Sequence, residues 1–251
     1  MSGHSHWATI KRKKGAADAK RGQVFTRLAR EIVMAARDGG GDLDSNVRLQ
    51  FAMERARAQN MPKDNIERAI KRGTGEAKDG MILEQVFYEG YASNGIALMM
   101  ECVTDNRNRA VAEIRHILTR SGGTMGEAGS VGWQFTRVSY FSLPAAGVDP
   151  DKIFELAVDA GANDVILDPE TIEIIAPVEA FRKINERLKA GGYRPEEAEL
   201  RMIPNQEIDL GVQETLQVMR TIEALEELDD VQAVFSNLHI SEEAMAALED
   251  A

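Results

Sequence analysis

The apolar residues change period near residue 80, and that change limits the chain to a helical module followed by mixed α/β structure. Up to Gly73 they recur at helical spacing. After the polar stretch 74–80, with Gly75 and Gly80, strand-length apolar runs alternate with helical ones. Residues 18–37 read as a first long helix stopped by Gly39, Gly40 and Gly41. Phe25, Leu28, Ala29, Ile32 and Ala36 fall on one face of it; Lys20, Arg27, Arg30 and Arg37 fall on the opposite face, with only Glu31 near that stripe. A second helix to about residue 60 starts from a cap at Asp44 or Ser45. It is apolar on two sides, at Val47 and Phe51 and at Leu49, Met53 and Ala56, so it packs between neighbours. Pro62 interrupts. A third helix opens at Lys63 or Asp64 and ends at Gly73, with Ile66, Ala69 and Ile70 inward and Arg68, Lys71 and Arg72 outward. The tight turn at 60–62 allows a helix-turn-helix, an arrangement shared by many helix pairs that read no DNA.

Beyond the linker, 85–92 and 96–103 read as strands of a hairpin with a Ser93-Asn94-Gly95 turn. Thr104 or Asp105 caps a helix to about residue 120, with Val111, Ile114 and Leu118 inward; 122–130 is glycine-rich, and 131–135 reads as a strand. From 138 to 202 the order strand, helix, strand, strand, helix, strand is that of a ferredoxin-like sandwich. The preceding unit lacks a second helix and a last strand, which 211–228 and 231–238 supply. The expected architecture is therefore an α+β multidomain chain with an N-terminal all-helical domain and two ferredoxin-like α/β-sandwich domains, one inserted in the other. Its expected parts are a flexible basic arm at 1–17, a helical nucleic-acid-binding domain at 18–78, a discontinuous domain at 81–137 plus 206–240, the inserted domain at 138–205 and an acidic tail at 241–251 that forms a short frayed helix.

Charge divides along the same line. The net charge is −11, but residues 1–80 hold 17 Lys and Arg against 10 Asp and Glu, whereas residues 81–251 hold 13 against 31. A positive module on a strongly negative body suits docking on phosphate by one end only. The first fourteen residues carry His4, His6, Trp7, Lys11, Arg12, Lys13 and Lys14 and no acidic residue. With little apolar content and mutually repelling charges, this run is expected to be a mobile arm that a phosphate backbone orders. The candidate nucleic-acid contacts are Trp7, Lys11, Arg12, Lys13 and Lys14, then Lys20, Arg21, Arg27, Arg30, Arg37, Asn65, Arg68, Lys71 and Arg72. Asn106, Arg107, Asn108 and Arg109 crowd a helix start, where free N–H groups favour a phosphate. The same residues suit capping and local charge pairing in an acidic domain.

Catalytic signals are weak. The single Cys102 allows no internal disulfide and no cysteine-based zinc cluster, and fits a reducing cytosol. No apolar run is long enough for a membrane span, and no apolar block follows the basic N-terminus as a secretory signal requires, so a cytoplasmic protein is expected. His4, His6, His116 and His239 form no metal-binding pair, Gly73-Thr74-Gly75 follows a helix rather than a strand, and no Gly-Lys-Ser/Thr loop occurs. Asp164, Asp168, Glu170 and Glu173 surround a strand pair and read as solvated acidic edges before they read as a magnesium site. The expectation is a non-enzymatic protein without cofactor, metal or small-molecule substrate, a monomer or weak homodimer.

The chain resembles the YebC/PmpR family, which includes the mitochondrial translational activator of cytochrome c oxidase. The resemblance is carried by GHSHWATIKRKKGAADAKR at 3–21, FTRLAREI at 25–32, MPKDNIERAIKRGTGE at 61–76, TDNRNR at 104–109 and GSVGWQF at 129–135, and covers essentially the whole chain. At His6 it departs from the family pattern of a lysine before the tryptophan, which removes one positive charge from the arm. The resemblance implies three domains, one inserted in another, and, since the chain opens directly on the motif, a bacterial cytoplasmic member. It implies a probable transcriptional regulator binding promoter DNA, or alternatively a ribosome-associated factor that binds ribosomal or transfer RNA and eases elongation at proline-rich stretches. Asn65, Arg68 and Arg72 suit base reading in a DNA groove; Trp7 and the basic run suit folded RNA.

Overall fold

The computed structural model describes residues 18–77 and 82–249. Helix α1 (Asp18–Gly39) is the axis of a three-helix module, and α2 (Val47–Ala58) and α3 (Lys63–Gly73) pack along it. Leu28, Ile32, Val33, Met34, Ala35 and Ala36 are all buried, so α1 is enclosed on more sides than one apolar stripe indicates. Leu83 and Val103, from beyond the linker, join the same core. Gly73 lets the end of α3 approach closely, since a Cβ there would lie 2.4 Å from the Val33 carbonyl oxygen. The cap of α2 is Asn46, not Asp44 or Ser45. Its Oδ1 accepts from Leu49 N–H (3.1 Å), and its Nδ2 donates to the carbonyls of Ala35 (2.8 Å) and Gly40 (2.7 Å). The site needs a donor and an acceptor on one side chain, which an amide offers and a carboxylate does not.

After the helical module come β1 (Glu84–Tyr91), β2 (Ala97–Thr104), α4 (Arg107–Arg120) and β3 (Thr124–Met125). Next are β4 (Phe135–Pro144), α5 (Pro150–Ala160), β5 (Asp164–Leu167), β6 (Thr171–Pro177), α6 (Phe181–Ala190) and β7 (Glu197–Pro204). The chain closes with β8 (Ile208–Asp209), α7 (Val212–Glu226), β9 (Val231–Ser236), β10 (Leu238–His239) and α8 (Glu242–Glu249).

The β1–β2 hairpin pairs Tyr91 with Ala97 and Glu84 with Thr104. Asn94 and Gly95 take φ of 60° and 76° in its turn, the left-handed pair that fits the twist of the strands. Strands β4 to β7 form an antiparallel sheet ordered β5-β6-β4-β7, with α5 and α6 on one face over Phe141, Leu143, Ile172 and Ile174. That is the ferredoxin-like order. The other sheet, β3-β1-β2-β9, reaches a two-layer form by a different route, from a central hairpin flanked by later strands. Leu98, Met100 and Cys102 of β2 face α4 and α7, while Ala97 and Met99 face Val131 and Phe135. A sheet buried on both faces explains why β2 is apolar almost throughout.

Two segments differ from the sequence reading. Residues 131–135 form no separate strand, because Gly132–Gln134 make a 3₁₀ turn and Phe135 already begins β4. Residues 242–249 form the expected short helix, but it is docked on the body: Ala244, Met245 and Leu248 of α8 are buried in the core shared by α4 and α7. Their acidic neighbours conceal a short apolar face.

Candidate nucleic-acid interface

The basic stripe of α1 is divided by the fold. Arg27 Nη2 donates to the Glu226 carbonyl, Arg30 Nη1 to that of Asp229, and Gln23 Nε2 to that of Glu227 (3.3 Å). These carbonyls belong to the last turn of α7 and the turn after it, the negative end of a helix dipole. Arg30 Nη2 also pairs with Asp230 at 2.8 Å, where Arg30 is 13% exposed and Asp230 1%. Arg37 donates to the Leu83 carbonyl at 2.5 Å and lies 3.9 Å from Asp38. Arg27 and Arg30, expected to face phosphate, thus join the helical module to the acidic body, whereas the Arg37 side chain stays 42% exposed beside Asp38 of its own helix. Periodicity identified the stripe but could not say that another domain of this chain would cover it.

The 106–109 cluster is likewise occupied. Asn106 caps α4 by accepting from Arg109 N–H (3.1 Å), while Thr104 Oγ1 accepts from Asn106 N–H (2.9 Å) and donates to Asp230 (3.0 Å). Arg109 Nη2 lies 2.8 Å from Asp105 and 2.8 Å from Asp230 Oδ2, and Arg107 Nε lies 2.6 Å from Glu84. Hydrogen bonding from Arg109 holds the Asp105 carboxyl below the usual carboxylate range. Only the exposed Asn108 has no part in this pairing. The capping alternative therefore describes this helix start, because carboxylates already fill the place of an anion.

A cleft of about 690 Å³ lies where these groups meet, lined by Arg30, Arg72 and Arg109 but also by Asp105, Glu113, Glu227 and Asp229. Its mixed sign does not favour phosphate. On the other side of α1, Arg55 pairs with Glu31 and, at 3.2 Å, with Glu199 of β7. Although burial disfavours its charge, Arg201 and Arg55 hold the Glu199 carboxyl below its ordinary range. Nearby, burial raises Glu101 above its ordinary value despite the hydrogen bond from Gln85.

What remains outward on the helical module is Arg57, Arg68 and Lys71, all exposed and without an ion pair among the described residues. Arg68 and Lys71 share one face of α3, where Asn65 is half-buried and Lys63 pairs with Glu67 at 3.4 Å. Arg72 is half-buried and turns into the cleft. Trp7, Lys11, Arg12, Lys13 and Lys14 lie outside the described residues, as do the side chains of Lys20 and Arg21.

Residues 5–76 match a family domain described as "TACO1/YebC protein N-terminal domain", and residues 83–238 one described as "TACO1/YebC second and third domain". The chain belongs to the TACO1/YebC family. Among its relatives, a "probable transcriptional regulatory protein" of Chlorobaculum tepidum is 47% identical over 251 residues, 100% of both chains. One of the same description from Acidithiobacillus ferrooxidans is 50% identical over 249 residues, 99% of each chain. The crystal structure of a conserved hypothetical protein from Aquifex aeolicus matches with a TM-score of 0.82 at 42% identity, covering 94% of this chain and 98% of that one. No helix among the described residues is long and apolar enough to cross a membrane. For this TACO1/YebC chain, sequence reasoning passed over Arg57, Asp230 and Trp133. Arg57 could have been found from its place on α2 between the two apolar sides of that helix; Asp230 carried no local signal; Trp133 was absorbed into a supposed strand.

Proposed function

We propose that this chain is a non-enzymatic regulator of gene expression that acts in transcription, binding DNA through its N-terminal basic run and the outward side of its helical module. The observation that carries the reading is the sorting of cations: with Arg27 and Arg30 turned to the acidic body, Arg57, Arg68 and Lys71 remain available on the module that follows Lys11, Arg12, Lys13 and Lys14. Such contacts supply phosphate affinity without reading sequence. The names of the curated relatives support a role in transcription. A second reading, binding to folded RNA in translation, is favoured by Asp64 and Glu67, both exposed on α3 beside Arg68 and Lys71. A helix entering a DNA groove would bring these carboxylates near phosphate, whereas an arm with an aromatic can track folded RNA without them. Crosslinking in living cells, followed by sequencing of the recovered nucleic acid, separates the two. Enrichment of a few promoter segments is the expected result; concentrated ribosomal or transfer RNA would replace it with the second reading.

A further inference from the structure

We propose that Trp133 and the loop carrying it form a docking site for a lysine- and arginine-rich polypeptide segment, separate from the nucleic-acid interface. Trp133 is 73% exposed, an unusual position for so large an apolar ring. The loop beneath it is built to hold it there. The Glu89 carboxylate accepts from the N–H groups of Gly129 (2.7 Å), Val131 (2.6 Å) and Gly132 (2.8 Å). The Tyr91 hydroxyl and Trp133 Nε1–H both donate to the Ser130 carbonyl, each at 3.1 Å, and Asn205 Nδ2 donates to the Trp133 carbonyl at 3.0 Å. The indole's one polar atom is satisfied within the loop, leaving an apolar π-face toward solvent on a backbone already ordered. An anchor of that kind loses little freedom when a partner covers it.

Charge selects the partner. No lysine or arginine occurs between Arg120 and Arg137, between Arg201 and Arg220, or after Arg220, and these are the segments that meet around the loop. Arg137 at the edge is turned over the Phe87 ring, 5.9 Å from its centroid. Glu127 is exposed on the loop itself, Glu89 lies beneath it, and the exposed Glu207 follows Asn205 by two residues. An ammonium or guanidinium group can stack on the indole while neighbouring cations meet these carboxylates. A phosphate backbone would meet repulsion at the same place.

Trp7 is the only other tryptophan, so Trp7→Phe makes Trp133 the sole tryptophan of the full chain, whose emission is read with excitation that spares tyrosine. That protein would be titrated with an oligoarginine peptide and, separately, with single-stranded oligothymidylate. The peptide is expected to change the emission saturably. Trp133→Ala should weaken labelled-peptide binding by about tenfold with little change in melting temperature, and Glu127→Lys with Glu207→Lys should weaken it similarly. Equal peptide binding by both variants would reduce the effect to general attraction to an acidic body and overturn the proposal. So would the absence of an emission change, or a larger change with oligothymidylate.

Discussion

Asp230 joins the helical module to the body through one carboxylate. It is 1% exposed and receives Arg30, Arg109 and Thr104, side chains from two modules. Removing it leaves two guanidiniums without their shared partner, one of them nearly buried, and breaking such a site costs about 4 kcal/mol. Asp230→Ala is therefore expected to lose about that much in urea unfolding at neutral pH, and a loss within the scatter of surface substitutions would remove its linking role. Nothing local in the sequence identified Asp230, because its partners are far away in the chain and helical or strand periodicity carries no information about them. Glu101 offers a test with the opposite sign. Burial raises its folded pKa, so between its unfolded and folded values the native state holds more proton than the unfolded state, and stability falls as pH rises through that window. Glu101→Gln is expected to raise the melting temperature at neutral pH and to flatten its decline with pH above the ordinary carboxylate range. An unchanged pH profile would show that Glu101 is not the group responsible.

Among elements, those whose signal is local were legible and those defined by distant partners were not. Asn94-Gly95 marks its hairpin because few residues tolerate positive φ, and the alternation from 138 to 202 marks its strands and helices because each must bury one face. The caps at Asn46 and Asn106 were misplaced by one or two residues, since several polar residues cluster at each helix start and only the geometry shows which reaches the free N–H groups. Helix α8 is legible as a short helix but not as a docked one, because Glu242 and Glu243 outweigh the spacing of Ala244, Met245 and Leu248. Helix α3 carries the sharpest element-level prediction. A Cβ at Gly73 would meet the Val33 carbonyl at 2.4 Å and Ala36 Cβ at 2.7 Å, so Gly73→Ala must push α3 away from α1. Overpacking of this kind costs about 2 kcal/mol, and thermal melting of the variant should show the loss; a stabilised variant would mean that α3 moves freely on α1.

For the whole molecule, the charge split read from sequence describes two different tasks. Part of the positive charge of the first 80 residues is directed inward, where Arg27 and Arg30 meet the end of α7, and part remains outward on Arg57, Arg68 and Lys71. Composition exposed the asymmetry but not this division, because a count of charges does not say which of them another domain will cover. On the proposed function, only the outward cations and the N-terminal run contact phosphate. The salt dependence of binding to a mixed-sequence DNA duplex, followed by fluorescence anisotropy for three variants, tests this. Replacing Lys11, Arg12, Lys13 and Lys14 with alanine should make the slope of log K against log salt shallower by about 3.6, and Arg68→Ala with Lys71→Ala by about 1.8, at about 0.9 per phosphate contact. Arg27→Ala should leave the slope unchanged. An unchanged slope in the first two variants, or an equal reduction in the third, would contradict the claim.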